Sequence, residues 1–222
     1  GLIGKVIMPI IPDKGSVRPY SDLAPLTHMT PIMLGHGEAT VAGKRLPGTD
    51  ALRSVGLEPI ALEAKEGLAL INGTQMMTAI GVFNLLEAEA LVRAADVAAA
   101  LTFEAQLGNP SPFYDEIHQV RRHPGQMKTA ANIRHLIKDS PLWISHQGKR
   151  KVQDAYSVRC TPQVHGAVRD TLAFVRHTLE IEVNSATENP LVFPDQKLIL
   201  SGGNFHGEPV AFAMDFLAIA VS

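Results

Sequence analysis

The chain has 222 residues, 45% of them hydrophobic and only 5% aromatic, with one cysteine and a formal net charge of −2. That length can bury a sizeable core, and the abundance of Ala and Leu points to helices. The scattered Lys and Arg exclude the basic field that nucleic acid would need. Cys160 has no second cysteine to pair with, which fits a reducing compartment.

Taken in order, residues 5–12 carry two prolines and read as an extended lead-in. Ser21 or Asp22 can then cap a helix whose apolar positions are Leu23, Leu26, Met29 and Met33. Pro31 should kink or split it before Gly35-His36-Gly37. A short hairpin is expected over 39–46, and at most two helical turns over 50–55, closed by Gly56. The spacing of Ala61, Ala64, Leu68 and Ile71 predicts a helix over 61–71, broken at Asn72-Gly73.

Residues 74–107 contain no Pro and only Gly81, so a single helix roughly 50 Å long is expected. Its segment 94–101 is apolar nearly all round, which implies a bundle completed by other subunits. Short helices are expected over 115–120 and 124–137, and a mobile polar segment over 140–151. A second long helix should start at Thr161-Pro162 and run to about Asn184, with Val164, Val168, Leu172, Val175 and Leu179 along one face. Residues 186–200 read as a loop with an extended piece, and Glu208-Pro209 opens a last helix.

No uninterrupted apolar run reaches the roughly 18–20 residues of a membrane span, and no signal pattern opens the sequence, so a soluble, cytoplasmic protein is expected. The chain lacks an initial Met and its last helix stops in mid-pattern, which suggests truncation at both ends.

Generic chemical motifs fail. The nine histidines form no pair at the helical zinc spacing, so no metal is expected. There is no Gly-x-Ser-x-Gly elbow, and Cys160 has no evident base. Three stretches remain. Asn72 sits at a break between buried helices, where an amide is costly unless hydrogen-bonded, and a helix-linking role would explain it. Gln153, Tyr156 and Arg159 recur every three residues and would share a helical face. A phenol beside a guanidinium can orient a carboxylate and assist proton transfer, although a solvated polar face has the same pattern. Ser201-Gly202-Gly203-Asn204-Phe205-His206-Gly207 can form a tight loop.

Together these words resemble a known family. Gly15-Ser16-Val17, four residues, then Asp22-Leu23-Ala24-Pro25-Leu26 is similar to the signature loop of the aromatic amino acid lyases. Residues 66–75, with Asn72-Gly73-Thr74-Gln75, match that family's asparagine loop, and residues 152–160 and 201–207 match two further site segments. His206, with His123-Pro124-Gly125-Gln126 and Asn189-Pro190-Leu191-Val192-Phe193, leans towards the histidine ammonia-lyase branch.

The resemblance covers essentially the whole chain and implies an all-α, long-helix bundle like the central part of an aspartase/fumarase-like lyase. Residues 1–222 would then be a single helical domain of that core. It also implies an amino acid substrate, non-oxidative loss of ammonia from L-histidine to give urocanate, and a homotetramer, with no nucleic acid or membrane partner. By the same resemblance Arg159 would bind the substrate carboxylate and Tyr156 and Gln153 would line the site. Asn72 would orient the prosthetic ring and Phe205 would pack against it.

That ring, methylidene-imidazolone, is made in the family from Ala-Ser-Gly within Gly-Ala-Ser-Gly. Here the four residues are Arg18-Pro19-Tyr20-Ser21. Tyr20 has no β-hydroxyl to eliminate, Pro19 fixes its own φ, and Ser21 adds a β-carbon at the attacking nitrogen's residue. No such cofactor is expected in this chain. A non-catalytic scaffold that folds and assembles is the competing expectation.

Overall fold

Pro31 sets the shape of the first helical segment. In the computed structural model, which describes residues 6–12, 23–145 and 152–222, α1 (Leu23–Met29) tightens at once into a 3-10 turn over Thr30–Leu34. A proline cannot continue the α-helical hydrogen-bond ladder, so the split follows. Gly35 closes the turn at φ 81°, its N–H donating to the carbonyls of Ile32 and Pro31. The capping pair Ser21 and Asp22, and the loop with Pro19, Tyr20 and Ser21, lie outside the described residues.

The fold is all-α with small strand additions. Its contacts group into two compact units: Gly1–Ile80 with Ile181–Ala211, and Gly81–Glu180 with Phe212–Ser222. Helix α4 (Gln75–Ala105) has 31 residues, about 46 Å at the helical rise, more than one small core covers.

In the first unit, β1 (Ile7–Pro9), β2 (Glu38–Val41) and β3 (Lys44–Pro47) form an antiparallel sheet in that order. Ile7 pairs with Val41, and Thr40 with Arg45. The two-residue turn between β2 and β3 has Ala42 at φ 47° and Gly43 at φ 78°, the geometry that suits the twist of a hairpin. Helix α2 (Gly48–Ser54) lays Ala51 and Leu52 against Ile7, Ile32 and Ala39. The hairpin and α2 follow the sequence expectation; the pairing of the lead-in as a third strand adds to it.

The helix expected over 61–71 is shorter. Helix α3 spans Glu66–Ile71, because Lys65 takes φ 80° and ends any helical path from before it. A second hairpin, β4 (Leu191–Phe193) with β5 (Leu198–Leu200), supplies the extended piece expected after 186.

The second unit holds most of α4, with Leu85, Ala88, Val92, Asp96, Ala100 and Phe103 buried at spacings of three and four. Helices α5 (Asp115–Gln119), α6 (Pro124–Ile137), α7 (Pro141–Ser145), α8 (Tyr156–Arg159) and α9 (Thr161–Glu182) follow. Pro124 at the first position of α6 gives up an N–H that has no helical partner there. Part of the segment expected to be mobile is α7, and residues 146–151 lie outside the described ones.

Phe103 and Phe113 pack edge to face at 5.3 Å, with Ala100, Ile133, Ile137 and Val158 around them. Such aromatic pairs contribute about 0.5–1.5 kcal/mol beyond their burial. On the apolar face of α9, Leu172, Val175 and Leu179 are buried, whereas Val164 is 57% exposed. Helices α6 and α9 cross in backbone contact: a Cβ on Gly125 would sit 2.1 Å from the Gly166 carbonyl oxygen.

The last helix, α10 (Glu208–Val221), buries Val210, Ala213 and Leu217. Its Phe216 meets Phe174 of α9 edge to face at 5.7 Å.

The stretch Glu66–Ala105 is long and apolar enough to cross a membrane by length and composition alone. Its apolar residues form no uninterrupted run, because isolated polar residues such as Asn72 and Thr74 break it. Those residues and the buried Asp96 suit a helix packed among helices, since unpaired polar groups are costly in lipid.

Candidate active site

In the first unit three backbone segments converge. Asn72 ends α3 in an extended conformation, its N–H still donating to the Leu68 carbonyl. The next residue is buried, and a Cβ on Gly73 would lie 2.3 Å from the Thr187 carbonyl oxygen, so only glycine permits that approach. Thr74 donates its hydroxyl hydrogen to Glu182 Oε1 at 2.5 Å. Lys65 pairs with Glu188. The loop carrying Phe205 lies against the same corner: a Cβ on Gly207 would strike Met77 Sδ at 2.4 Å. Asn204 Nδ2 donates to the Ala186 carbonyl at 3.3 Å, and Gly202 N–H to Asn189 Oδ1 at 2.7 Å. Asn72 and Phe205 are both half-buried here. A cavity of about 450 Å³ opens beside the corner, lined in part by Thr74, Thr78, Glu182 and Thr187.

The second unit carries Gln153, Tyr156 and Arg159. The expected single helical face is corrected by the structure. Residues 152–155 are not helical, and α8 starts only at Tyr156, so Gln153 lies exposed ahead of it. The physical reason is Asp154. Its buried carboxylate accepts from the Asn109 backbone N–H at 2.7 Å, while Asn109 Nδ2 donates to the Val152 carbonyl at 3.2 Å. These bonds hold the segment extended against the loop after α4. Val158 then anchors α8 in the Phe103–Phe113 core. Thr161 bonds back to the Val158 carbonyl at 2.9 Å, which joins α8 to α9. Tyr156 is 70% exposed, and the Arg159 guanidinium carbon stands 5.5 Å from its ring centroid, a cation–π contact.

Sequence reasoning missed two polar clusters nearby. Asp96, on α4, accepts from Asn132 Nδ2 at 2.8 Å, His165 Nδ1 at 2.8 Å and Arg169 Nη2 at 2.5 Å. Burial alone would raise its carboxyl. The three donors outweigh that and hold it below its usual range. The only sequence signal was an acid inside a run that otherwise reads apolar.

His118 is the other, fully buried. Its Nε2 is 3.0 Å from the Pro112 carbonyl, and Gln126 Nε2 is 3.0 Å from its Nδ1. A neutral ring with its proton on Nε2 satisfies both contacts. Burial pushes His118 below its ordinary value of 6.5, although the Pro112 bond opposes the shift. The unfolded chain then takes up this proton first as the pH falls. Stability is therefore full above 6.5 and declines below it, towards the lower folded value. Urea midpoints followed by Trp143 fluorescence should drop between about pH 7.5 and 5.5, and His118→Asn should flatten that dependence.

The sequence signature of the aromatic amino acid lyases matches residues 1–222, and the chain belongs to that family. Within it, the chain is 53% identical over 221 residues to a histidine ammonia-lyase of Myxococcus xanthus, covering 100% of this chain and 44% of the relative. It is 52% identical to one of Caldanaerobacter subterraneus, covering 100% and 43%.

Among solved structures, a histidine ammonia-lyase from Trypanosoma cruzi superposes with TM-score 0.85 at 45% identity, over 97% of this chain and 40% of that one. A tyrosine aminomutase from Streptomyces globisporus gives 0.89 at 42% identity, over 99% and 45%. The chain therefore spans less than half the length of the relatives it matches.

Proposed function

We propose that this chain carries part of the site of a histidine-deaminating lyase, which eliminates ammonia from L-histidine to give urocanate. The observation that carries the reading is the Arg159 guanidinium against the Tyr156 ring on a turn anchored by Val158. Its fork suits a carboxylate. Tyr156 would assist proton transfer, Gln153 would line the site, and Asn72 and Phe205 would flank the prosthetic ring. The histidine branch is supported by about 50% identity to proteins of that name.

The residues at the electrophile position do not fit the self-derived methylidene-imidazolone. Pro19-Tyr20-Ser21 supplies neither a middle hydroxyl to lose nor a glycine to bend around. We therefore infer that the chain as written binds substrate without turning it over, which is the scaffold reading in part. Other copies would cover the apolar faces left open on α4, where Phe83 is 70% and Leu101 is 62% exposed. This supports an oligomer, and the tetramer belongs to the same proposal.

Titration with L-histidine tests the reading, followed by nuclear magnetic resonance together with urocanate absorbance. Saturable binding is expected, weakened more than about tenfold by Arg159→Ala through loss of the charged fork. Urocanate would refute the inactivity. Failure to bind L-histidine would refute the site.

A further inference from the structure

We propose that Gln163 is the positioning residue for Arg159, an inference that rests on the carboxylate-binding reading of that arginine. Two buried polar atoms near the site have no hydrogen-bond partner among the described residues: the Nε of Arg159 and the Oε1 of Gln163. One is a donor that carries a single hydrogen, the other a carbonyl acceptor. They belong to residues four apart, the spacing at which helical side chains are neighbours.

Between α8 and α9 the chain turns at Cys160, with near-helical hydrogen bonds on either side. Arg159 N–H donates to the Ala155 carbonyl at 3.1 Å, Cys160 N–H to Tyr156 at 3.0 Å, and Gln163 N–H to Cys160 at 3.0 Å. Thr161 ties the same turn from its side chain. A small change in the terminal torsions of either long side chain can bring donor to acceptor. Leaving both unpaired in a buried setting is the costly alternative.

The pairing has a geometric result. Tyr156 sets the plane of the guanidinium through its ring, 5.5 Å from the Arg159 Cζ. Gln163 sets its rotation by occupying the Nε edge. Both Nη groups then remain at the far end for a bidentate carboxylate. Gln163 touches no reacting atom and acts only through the arginine.

Two measurements on the whole chain test this, and they fail separately. The Arg159 Nε–H resonance, assigned by its loss in Arg159→Lys, should exchange slowly in the parent protein and in Gln163→Glu, which keeps an acceptor. In Gln163→Met it should exchange fast. Equal protection in Gln163→Met, or none in the parent, overturns the contact.

The preference for L-histidine over histamine, which lacks the carboxylate, should fall about tenfold in Gln163→Met, the size of a lost charged hydrogen bond, and return in Gln163→Glu. Weakening of both ligands alike would mean a packing role and overturn the proposal. If the parent does not bind L-histidine, the reading of Arg159 falls, whereas the resonance still decides whether Gln163 holds it.

Discussion

Asp96→Ala is expected to destabilise the Gly81–Glu180 unit by about 3–5 kcal/mol, the range for breaking a buried ion pair by removing one partner. Asp96 is 2% exposed, and the Arg169 side chain facing it is only 12% exposed. Without the carboxylate, Arg169 keeps one bond, from Nε to Thr129 Oγ1 at 3.1 Å, and His165 and Asn132 each lose a partner. The three donors come from α6 and α9, so the loss loosens α4 from both. Asp96→Asn should cost less, because an amide oxygen still accepts. Urea unfolding followed by Trp143 fluorescence reads this unit directly, since Trp143 packs on its core.

The pH dependence has a fixed sign. Folding lowers the Asp96 pKa from its ordinary 3.8, so its contribution is complete above that value and disappears as the pH falls through the lower folded one. A loss under about 1 kcal/mol, of the size seen for surface pairs, would mean that the network does not join these helices.

The second large effect concerns chemistry. The intact mass of the purified chain should equal that of its written sequence, with no water lost. The combined substitutions Arg18→Gly, Pro19→Ala, Tyr20→Ser and Ser21→Gly restore the residues that the family cyclises, and that variant should be lighter than its own sequence by two waters. One water leaves when the backbone nitrogen of the third residue of the restored triad closes on the carbonyl of the first. The second leaves as the middle hydroxyl is eliminated. Glycine in the third place removes the Cβ that would crowd the closure. A parent protein already two waters light would overturn the inference that this loop cannot form the ring. A variant of unchanged mass would show that the four residues are insufficient in this chain.

Helix limits were legible wherever a breaker or a first-turn proline marks them. Pro124 opens α6 at the expected residue, and Pro31 splits the first helix where expected. The helix expected from 61 failed because its periodicity carries no sign that Lys65 takes a left-handed backbone. Val164 shows a related limit: helical spacing gives a face, but not where its cover ends.

At the site, the words around Asn72, Tyr156, Arg159 and Phe205 were legible as a resemblance, whereas their supports were not. Asp154 lies within residues 152–160, but nothing in the local spacing marks its role. Its acceptor role depends on Asn109, 45 residues away. Asp96 and His165 are 69 apart. Such pairs have no local period, and only the packed helices bring them together.

Gly166 links the stability of α9 to its neighbour. A glycine inside a helix costs about 1 kcal/mol against alanine, and here it sits in the second turn of a 22-residue element. Helix α9 therefore accepts a weak point where a Cβ would sit 2.4 Å from the Gln126 backbone nitrogen. A peptide of residues 161–182 on its own would keep the weakness and lose the neighbour, and it should be largely unstructured in water. The helicity of this segment is thus a property of the α6–α9 pair, acquired on docking.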